Sequence, residues 1–572
     1  MLRHLASHVS GSLAKNLAAL GKTRPHLAQR LATLEPPGTP GAAHHLSGGE
    51  AGQVQLAHHT SRVTLDLPST DVAAWVGEVP QSTTAVHLLG VGLGEGVEQL
   101  LRGDSTCHVR AWERDPYLLQ LALARYDWSP HLASGRLDLR LGIDGIEDLD
   151  ALRAMHGLAH PVLGQIYDVE ANLLRRVRAG RTPRRWIGLL TGGLFVSDLA
   201  AELERRGFGV FPIEAKRWPL AEIELAVRRG KPELVLAVNY IGGLAELCRS
   251  AGTRLAVWEI DPSTDRAPRV SGSTDHCVVH TYRSNQVAAY RAAGFAKAEQ
   301  CLLAAHPATR HPVEELPGAG PAAVSFVGSS MVDIGREYRQ AFLHDYAQWK
   351  PLNRRSHKED PGDSEAAAWV DEALREQRST PLNYRLPELL QQRFEKFLRD
   401  REQGASEEDP LLWLAEAAAA EARLAVVSAL GPLGMSAWGD QGWRLAAPRG
   451  VRWMGPAGHR SEINRVYSSS LVNVDIGRIY QDDIVTMRVF DVLACGGFLL
   501  AQHSPDLERC FRVGEEIESY SSLDELRAKV RYYLANPAAR ARLASAGRRA
   551  VGERHTFEHR LDRILERSGV AA

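Results

Sequence analysis

The chain has no pattern that would staple it or fix a metal through cysteine. Its six cysteines (Cys107, Cys248, Cys277, Cys301, Cys495 and Cys510) are scattered and form no CxxC pair. That spread suits reduced thiols rather than a disulfide framework or a zinc site. No run of about 18 apolar residues occurs, so no membrane span is read. Neither sign of charge is in excess, with 68 Lys+Arg against 69 Asp+Glu. The balance argues against a dedicated nucleic-acid binder, which carries a basic excess, and against an acidic disordered chain. The opening Met1-Leu2-Arg3-His4-Leu5 soon meets Ser, His, Gly and Lys, so no secretory leader is read and a cytoplasmic location is expected. What is present is 572 residues with 44% hydrophobic content. That is enough for three or four domains of roughly 100–200 residues each.

Residues 1–60 read as peripheral helices and a flexible connector. Leu13, Leu17, Leu20, Leu27, Leu31 and Leu34 have helical spacing, which Pro36-Pro37-Gly38 breaks. Residues 61–175 alternate strands at Val86–Leu89, Val109–Glu113 and Leu137–Asp144 with helices, and read as a Rossmann-like accessory domain. The basic run Arg175–Arg185 reads as a linker. A second α/β domain follows over 181–320, ending in a Pro/Gly-rich hinge at 310–321. A third covers 321–572, opening with Val324-Ser325-Phe326-Val327-Gly328 and interrupted at about 340–425 by a polar helical insertion. The expected fold class is α/β with parallel sheets.

The most informative segment is 463–500. Arg488 to Cys495 reads as a helix stopped by Gly496-Gly497, with Asp483 in the loop before it or at its N-terminus. Such a helix start in an open α/β sheet aims N–H groups at the ligand crevice. It suits a nucleotide diphosphate, with Arg488 adding a charge-assisted contact and Asp491 accepting from ribose or sugar hydroxyls. Against this, Arg488 and Asp491 at i,i+3 also read as a solvated helical pair, and Asn473 as a turn or cap. In the second domain Glu259, Asp261 and His280 sit at predicted strand ends, where an acceptor hydroxyl is deprotonated; Asp261 also reads as the start of a turn. Gly192-Gly193 lets a backbone approach substrate or makes a tight turn. The pairs His276/His280 and His555/His559 have i,i+4 spacing. His555 reads as structural rather than as part of an H-x-x-E-H metal site, and no metal is expected.

Taken in order, Tyr467, Asn473, Arg488-Val489-Phe490-Asp491-Val492-Leu493-Ala494-Cys495-Gly496-Gly497, Gly514-Glu515-Glu516, Tyr532–Pro537 and His555-Thr556-Phe557 resemble the CgeB-like (spore-maturation-protein-like) glycosyltransferases of the GT-B fold. Phe326-Val327-Gly328 and Trp258-Glu259-Ile260-Asp261-Pro262 extend the resemblance toward the N-terminus. It implies a bacterial, hexosyltransferase-type enzyme built on a GT-B pair of Rossmann-like domains, 181–320 facing the acceptor and 321–572 the donor. It implies transfer from a nucleotide-sugar donor to a glycan or protein acceptor, with no metal and no further cofactor. The donor-binding set it carries over is Asn473, Asp483, Arg488, Asp491, Gly496 and Gly328, with Gly192 and Gly193. The catalytic set is Asp261, Asp483 and Arg488. Where related retaining enzymes carry Glu-x7-Glu, this chain has Asp483-x7-Asp491. By motif position Asp491 would contact the ribose and Asp483 would face the sugar. Arg336 stands in for a basic residue often found after the first strand of the donor domain.

In the first domain, Gly90-x-Gly92-x-Gly94-x-Gly96 after a strand, with Glu113 ending the next, looks like a nucleotide turn with its ribose acid. With Asp144 it resembles S-adenosylmethionine methyltransferases more than dehydrogenases. A degenerate accessory domain is the leading reading and a methyltransferase the alternative. A non-catalytic carbohydrate-binding or assembly protein is the other rival.

Overall fold

Four β-sheets organise the chain in the computed structural model, which describes all residues except 1–9, 36–42, 49–52, 59–60, 104–105, 192–193, 262–266, 268, 314–321, 353–362, 405–407, 459–460 and 572. The expected connector at 36–41, most of the hinge and the Gly192-Gly193 turn therefore lie outside the described residues. The chain divides into two compact units, Met1–Val257 with Ser568–Ala572, and Trp258–Arg567.

The first unit starts with helices α1 (Ser10–Thr23) and α2 (Pro25–Ala32). They are not peripheral. Leu20, Leu27 and Leu31 are buried in one core with Val86 and Leu88. Strands β1 (Leu46–Gly48), β2 (Val54–His58) and β3 (Ser61–Thr64) then form an antiparallel meander. Part of it falls where the sequence reads connector. Short strands escape periodicity, and what fixes these is burial of Leu46, Val54 and Leu56 against Leu89, Leu93 and Trp112. Next comes a parallel sheet of β4 (Ala85–Leu89), β5 (His108–Glu113), β6 (Leu137–Leu141) and β7 (His156–Ala159), in the order β6-β5-β4-β7. Its helices include α3 (Glu95–Arg102), α4 (Pro116–Arg125) and α5 (Asp168–Arg178). Asp115 caps α4, accepting from the Tyr117 and Leu118 amides, with Pro116 at the first helical position. Three arginines of the expected linker, Arg175, Arg176 and Arg178, instead finish α5, where they complement its negative end.

The second sheet is formed by β8 (Trp186–Leu190), β9 (Gly209–Ile213), β10 (Leu234–Val238), β11 (Arg254–Glu259), β12 (Cys277–Thr281) and β13 (Lys297–Gln300), in the order β13-β12-β11-β10-β8-β9. Helix α6 (Leu220–Gly230) follows β9 and α7 (Leu244–Ala251) follows β10. The division between the units falls within β11.

The second unit contains a further six-stranded parallel sheet. Its strands are β14 (Val324–Val327), β15 (Met435–Trp438), β16 (Arg452–Trp453), β17 (Val472–Val474), β18 (Leu499–Gln502) and β19 (Glu518–Tyr520), in the order β16-β15-β14-β17-β18-β19. The α/β class with Rossmann-like parallel sheets is thus present. Between β14 and β15 lie α8 (Val332–Leu352), α9 (Asp363–Ser379), α10 (Leu386–Gln403) and α11 (Pro410–Ala429). They share a core in which Phe342, Tyr346, Trp349, Phe394 and Phe397 are buried together, each worth about 1.5–3 kcal/mol of apolar burial. A Cβ at Gly335 of α8 would lie 3.2 Å from the Ala420 Cβ, so small residues let α8 and α11 approach closely.

After α12 (Met487–Ala494) and α13 (Pro537–Arg554), the chain closes with α14 (Phe557–Arg567). This helix packs on the segment after β13. Arg560 donates to the Leu302 carbonyl at 2.9 Å and to the Leu303 carbonyl, and Ala305 bridges to Thr556. Arg563 and Arg567 reach Glu299 on β13 at 3.2 and 3.0 Å. The Glu299 carboxyl, hydrogen-bonded by the His280 ring and by Arg563, is lowered to about 2.

A depressed carboxyl stabilises the fold above the unfolded value and loses that contribution as pH falls through the folded one. The second unit should therefore lose stability between the ordinary glutamate value of 4.5 and about 2. Acid unfolding of Glu299→Gln, followed by circular dichroism, should show a shallower loss over that window. An unchanged acid limb would contradict the assignment.

Candidate functional site

Parallel sheets bind ligands outside the carboxyl ends of their strands. At that edge of the second unit's sheet, β14 ends at Val327 and β17 at Val474. The Asn473-Val474 run delivers a buried acid, Asp475, to the end of β17. Its Oδ1 accepts from Thr486 Oγ1 at 2.6 Å and from Arg488 Nη1. Arg488, in the first turn of α12, also donates Nε to the Val327 carbonyl at 2.7 Å. Its guanidinium carbon lies 4.4 Å from the Phe326 ring centroid, a stacked arrangement that suits a planar cation. Gly328 is required by this approach, because a Cβ there would fall 2.7 Å from Arg488 Nη2. Arg488 thus pairs with Asp475, and the expected i,i+3 pair with Asp491 does not form.

A second arginine arrives from the helical stretch. Arg423 of α11 is buried, donating Nη1 to the Ser329 carbonyl at 3.1 Å and Nη2 to the Ile476 carbonyl at 3.4 Å. Among the described residues it has no carboxylate partner, and its Nε has no hydrogen bond. Burial first, then the neighbouring Arg478 and Arg488 cations, push its guanidinium down to about 9. Arg478 is held by Glu416 at 2.9 Å. Three guanidinium groups therefore meet two carboxylates, Glu416 and Asp475, leaving one positive charge in a buried crevice. Such a charge is costly unless an anion joins it. The 328–330 loop beside it is fixed by Asp440, which accepts from Ser329 Oγ and the Ser330 amide, each at 2.7 Å.

The remaining candidates fall elsewhere. Both oxygens of Asp483 are engaged, Oδ1 by Arg283 at 2.7 Å and Oδ2 by the Asn285 amide at 2.8 Å. It ties its loop to the segment after β12 and does not present a carboxylate to a sugar. Asp491 is buried and held by Arg310 at 2.9 Å. Asn473 faces no ligand. Its amide donates to the Tyr467 and Phe498 carbonyls and accepts from Ser325 Oγ, stitching β14, β17 and β18. Gly496 has φ +73° and ends α12. Asp261 is exposed at the end of β11, close enough to Tyr282 to help burial push its phenol up to about 12. Tyr282 in turn accepts from Gln481 at 3.2 Å, so Asp261 does belong to the neighbourhood of the 478–483 loop. His280 is fully buried beside Glu299, 3.2 Å away. Arg336 lies on the exposed face of α8, paired with Asp333; Arg423 is the cation at the end of β14. His555 contacts the Cys510 carbonyl and Arg560, a structural role.

The glycine turn of the first unit is filled by the chain itself. Glu113 Oε2 accepts from the Val91 and Gly92 amides at 2.8 and 3.0 Å. Its Oε1 accepts from the Arg114 and Asp115 amides and from the Tyr167 hydroxyl. A Cβ at Gly92 would meet His160 at 2.7 Å, one at Gly94 would meet Trp128 at 2.9 Å, and one at Gly96 would meet Trp75 at 2.4 Å. The glycines admit these rings rather than a ligand, and Glu113 has no oxygen left for a ribose. Asp144 is likewise committed, to Arg30 and Arg229. The methyltransferase alternative loses its acid.

Residues 408–566 match the glycosyl transferase-like family. No curated protein is a match in sequence. In structure the chain is similar, at 11% identity and a TM-score of 0.37, to Alr3699/HepE of Anabaena in complex with UDP and glucose, over 68% of this chain and 92% of that one. It is similar to sucrose-phosphate synthase (tll1590) of Thermosynechococcus elongatus at 14% identity and a TM-score of 0.34, over 68% and 98%. A glycosyltransferase from Rickettsia africae ESF-5 stands at 9% identity and 0.37, over 71% and 95%. At these scores the likenesses add nothing to what the chain's own sheets show. Among the described residues no three His, Cys, Asp or Glu side chains group as metal ligands, and no helix is long and apolar enough to cross a membrane.

Replacing Asn473 by alanine leaves the Tyr467 carbonyl and the Ser325 hydroxyl without their partner, at about 1–3 kcal/mol for a buried unsatisfied group. Urea unfolding of Asn473→Ala should show that loss. An unchanged midpoint would contradict the structural role.

Proposed function

We propose that the protein transfers a sugar from a nucleotide-sugar donor to a glycan or protein acceptor, and that the donor diphosphate sits against Arg423 and Arg488. The observation that carries this is the buried, unpaired Arg423 guanidinium at the carboxyl ends of β14 and β17. It lies within the span that matches the glycosyl transferase-like family. The CgeB-like branch, a bacterial enzyme working in the cytoplasm, and an accessory role for the first domain belong to the same reading.

Each group has a defined task. Asp475 and the Val327 carbonyl fix the Arg488 guanidinium before any ligand arrives, so no reorganisation is needed as charge develops on the leaving diphosphate. Arg423 supplies charge that the protein leaves uncompensated. Two guanidinium groups with forked donors suit phosphate oxygens, and their charge does for the leaving group what a divalent cation does elsewhere. This supports a metal-independent reaction. Asp491 and Asp483 hold Arg310 and Arg283 in place around this loop system, which makes them positioning residues.

Thermal unfolding with a panel of nucleoside diphosphates, UDP first, tests the proposal. Saturation at a hundredfold excess over Kd should stabilise the chain by about 2.7 kcal/mol. Arg423→Met should lose that shift while leaving the unliganded protein as stable or more so, since an apolar side chain replaces an unpaired buried charge. No shift with any nucleotide, or a full shift in Arg423→Met, would overturn it.

A further inference from the structure

The sheet that begins with β14 ends on one side in the short strand β16. Residues 441–458, which build this edge, contain three arginines, Arg444, Arg449 and Arg452, and no Asp or Glu. A 3₁₀ helix over Gln441–Arg449 is pinned by its inward face. Trp443 donates its indole N–H to the Gly328 carbonyl at 2.9 Å, and Ala446, three residues on and so on the same side, is buried with it. Arg444 and Leu445, between these anchors, are turned out and exposed. Strand β16 is equally fixed. The Met454 amide donates to the Ala437 carbonyl at 2.9 Å, and the Trp453 indole to the Gly439 carbonyl at 3.1 Å. The Arg444 guanidinium carbon lies 4.2 Å from the Trp453 ring centroid, so helix and strand share one surface. On it Leu445 is 52% exposed and Met454 50%, which leaves two large apolar tips in water on a rigid backbone.

The charges select the partner. Among the described residues, Arg444, Arg449 and Arg452 have no carboxylate partner, and Arg452 donates only to the neutral Ser436 hydroxyl, at 3.0 Å. The acids that flank the segment are committed, Asp440 to Ser329 and Ser330, and Glu462 to the Gly458 amide at 2.9 Å. The face therefore offers unpaired guanidinium groups beside aliphatic tips and an indole. An anionic phospholipid surface meets all three, with phosphates for the cations, the acyl boundary for the tips and the headgroup level for the indole. A nucleic acid fits less well, because Arg444 covers one face of the Trp453 ring and aliphatic tips offer phosphates nothing. A second copy docked by a two-fold would set these arginines against themselves.

We infer that this face docks the protein on an anionic phospholipid surface. Leu445 and Met454 enter the headgroup layer while Arg444, Arg449 and Arg452 lie on lipid phosphates, a contact on the membrane rather than through it. The inference stands apart from the donor reading, which rests on Arg423 and Arg488.

The test is co-sedimentation of the full chain with vesicles of phosphatidylcholine alone and of phosphatidylcholine mixed with phosphatidylglycerol. Binding to the mixed vesicles is expected, weakening as salt rises, with little binding to phosphatidylcholine alone. Arg449→Gln should weaken binding about fivefold, the worth of one cation near such a surface. Leu445→Ser with Met454→Ser should weaken it about tenfold, and since both side chains already stand half in water, the fold should be kept. Two substitutions elsewhere should change nothing: Leu220→Ser, at an exposed leucine of the first unit, and Arg531→Gln, at an exposed arginine of the second. All these variants should keep any nucleotide-induced thermal shift of the parent. Vesicle binding unchanged in the double serine variant would leave charge alone as the attraction, the mark of a site for an acidic protein, and would overturn the inference. So would absent binding to the mixed vesicles, equal binding to both compositions, or unchanged binding in Arg449→Gln.

Discussion

The site of the second unit depends on one uncompensated charge. Arg423 is carried on a long helix into the crevice at the carboxyl ends of β14 and β17, where two backbone carbonyls receive it and no carboxylate does. Every neighbouring choice accommodates that charge. Arg478 is neutralised by Glu416, Arg488 by Asp475, and the 328–330 loop is pinned by Asp440. A protein that needed only stability would have placed an apolar side chain or a partner there. The exception is what a function adds, and its chemistry is that of an anion.

The first unit shows the opposite solution in a similar topology. Its glycine turn would look like a nucleotide site in outline, yet Glu113 accepts from the very amides a phosphate or ribose would need. Rings of His160, Trp128 and Trp75 occupy the space the missing side chains leave. A completed hydrogen-bond set has nothing to offer a ligand, whereas an incomplete one does. The same contrast separates Asn473 and Asp483, whose polar atoms are bonded within the chain, from Arg423, which has a donor left over.

The sequence shows the parallel sheets well, because their strands are continuous apolar runs such as Leu234–Val238 and helix signals such as Asp115-Pro116 are local. It shows the helix from Arg488 and the glycine stop at Gly496 for the same reason. It does not show β1 and β2, which burial rather than periodicity maintains. Pairings are what it hides most. Arg488 meets Asp475, 13 residues away in sequence, rather than Asp491, and Asp491 meets Arg310, 181 away. Arg423 stands in a run of alanines and leucines with no motif around it. Only its place on a buried helix face makes it notable, and that face is known only once α11 has packed.

Equilibrium binding of a nucleoside, its monophosphate and its diphosphate, across the common bases, tests the central claim most directly. The account predicts that for one base the affinity rises with each phosphate, and that Arg423→Met removes the gain without changing binding of the nucleoside. A diphosphate that binds no tighter than its nucleoside for every base would contradict it.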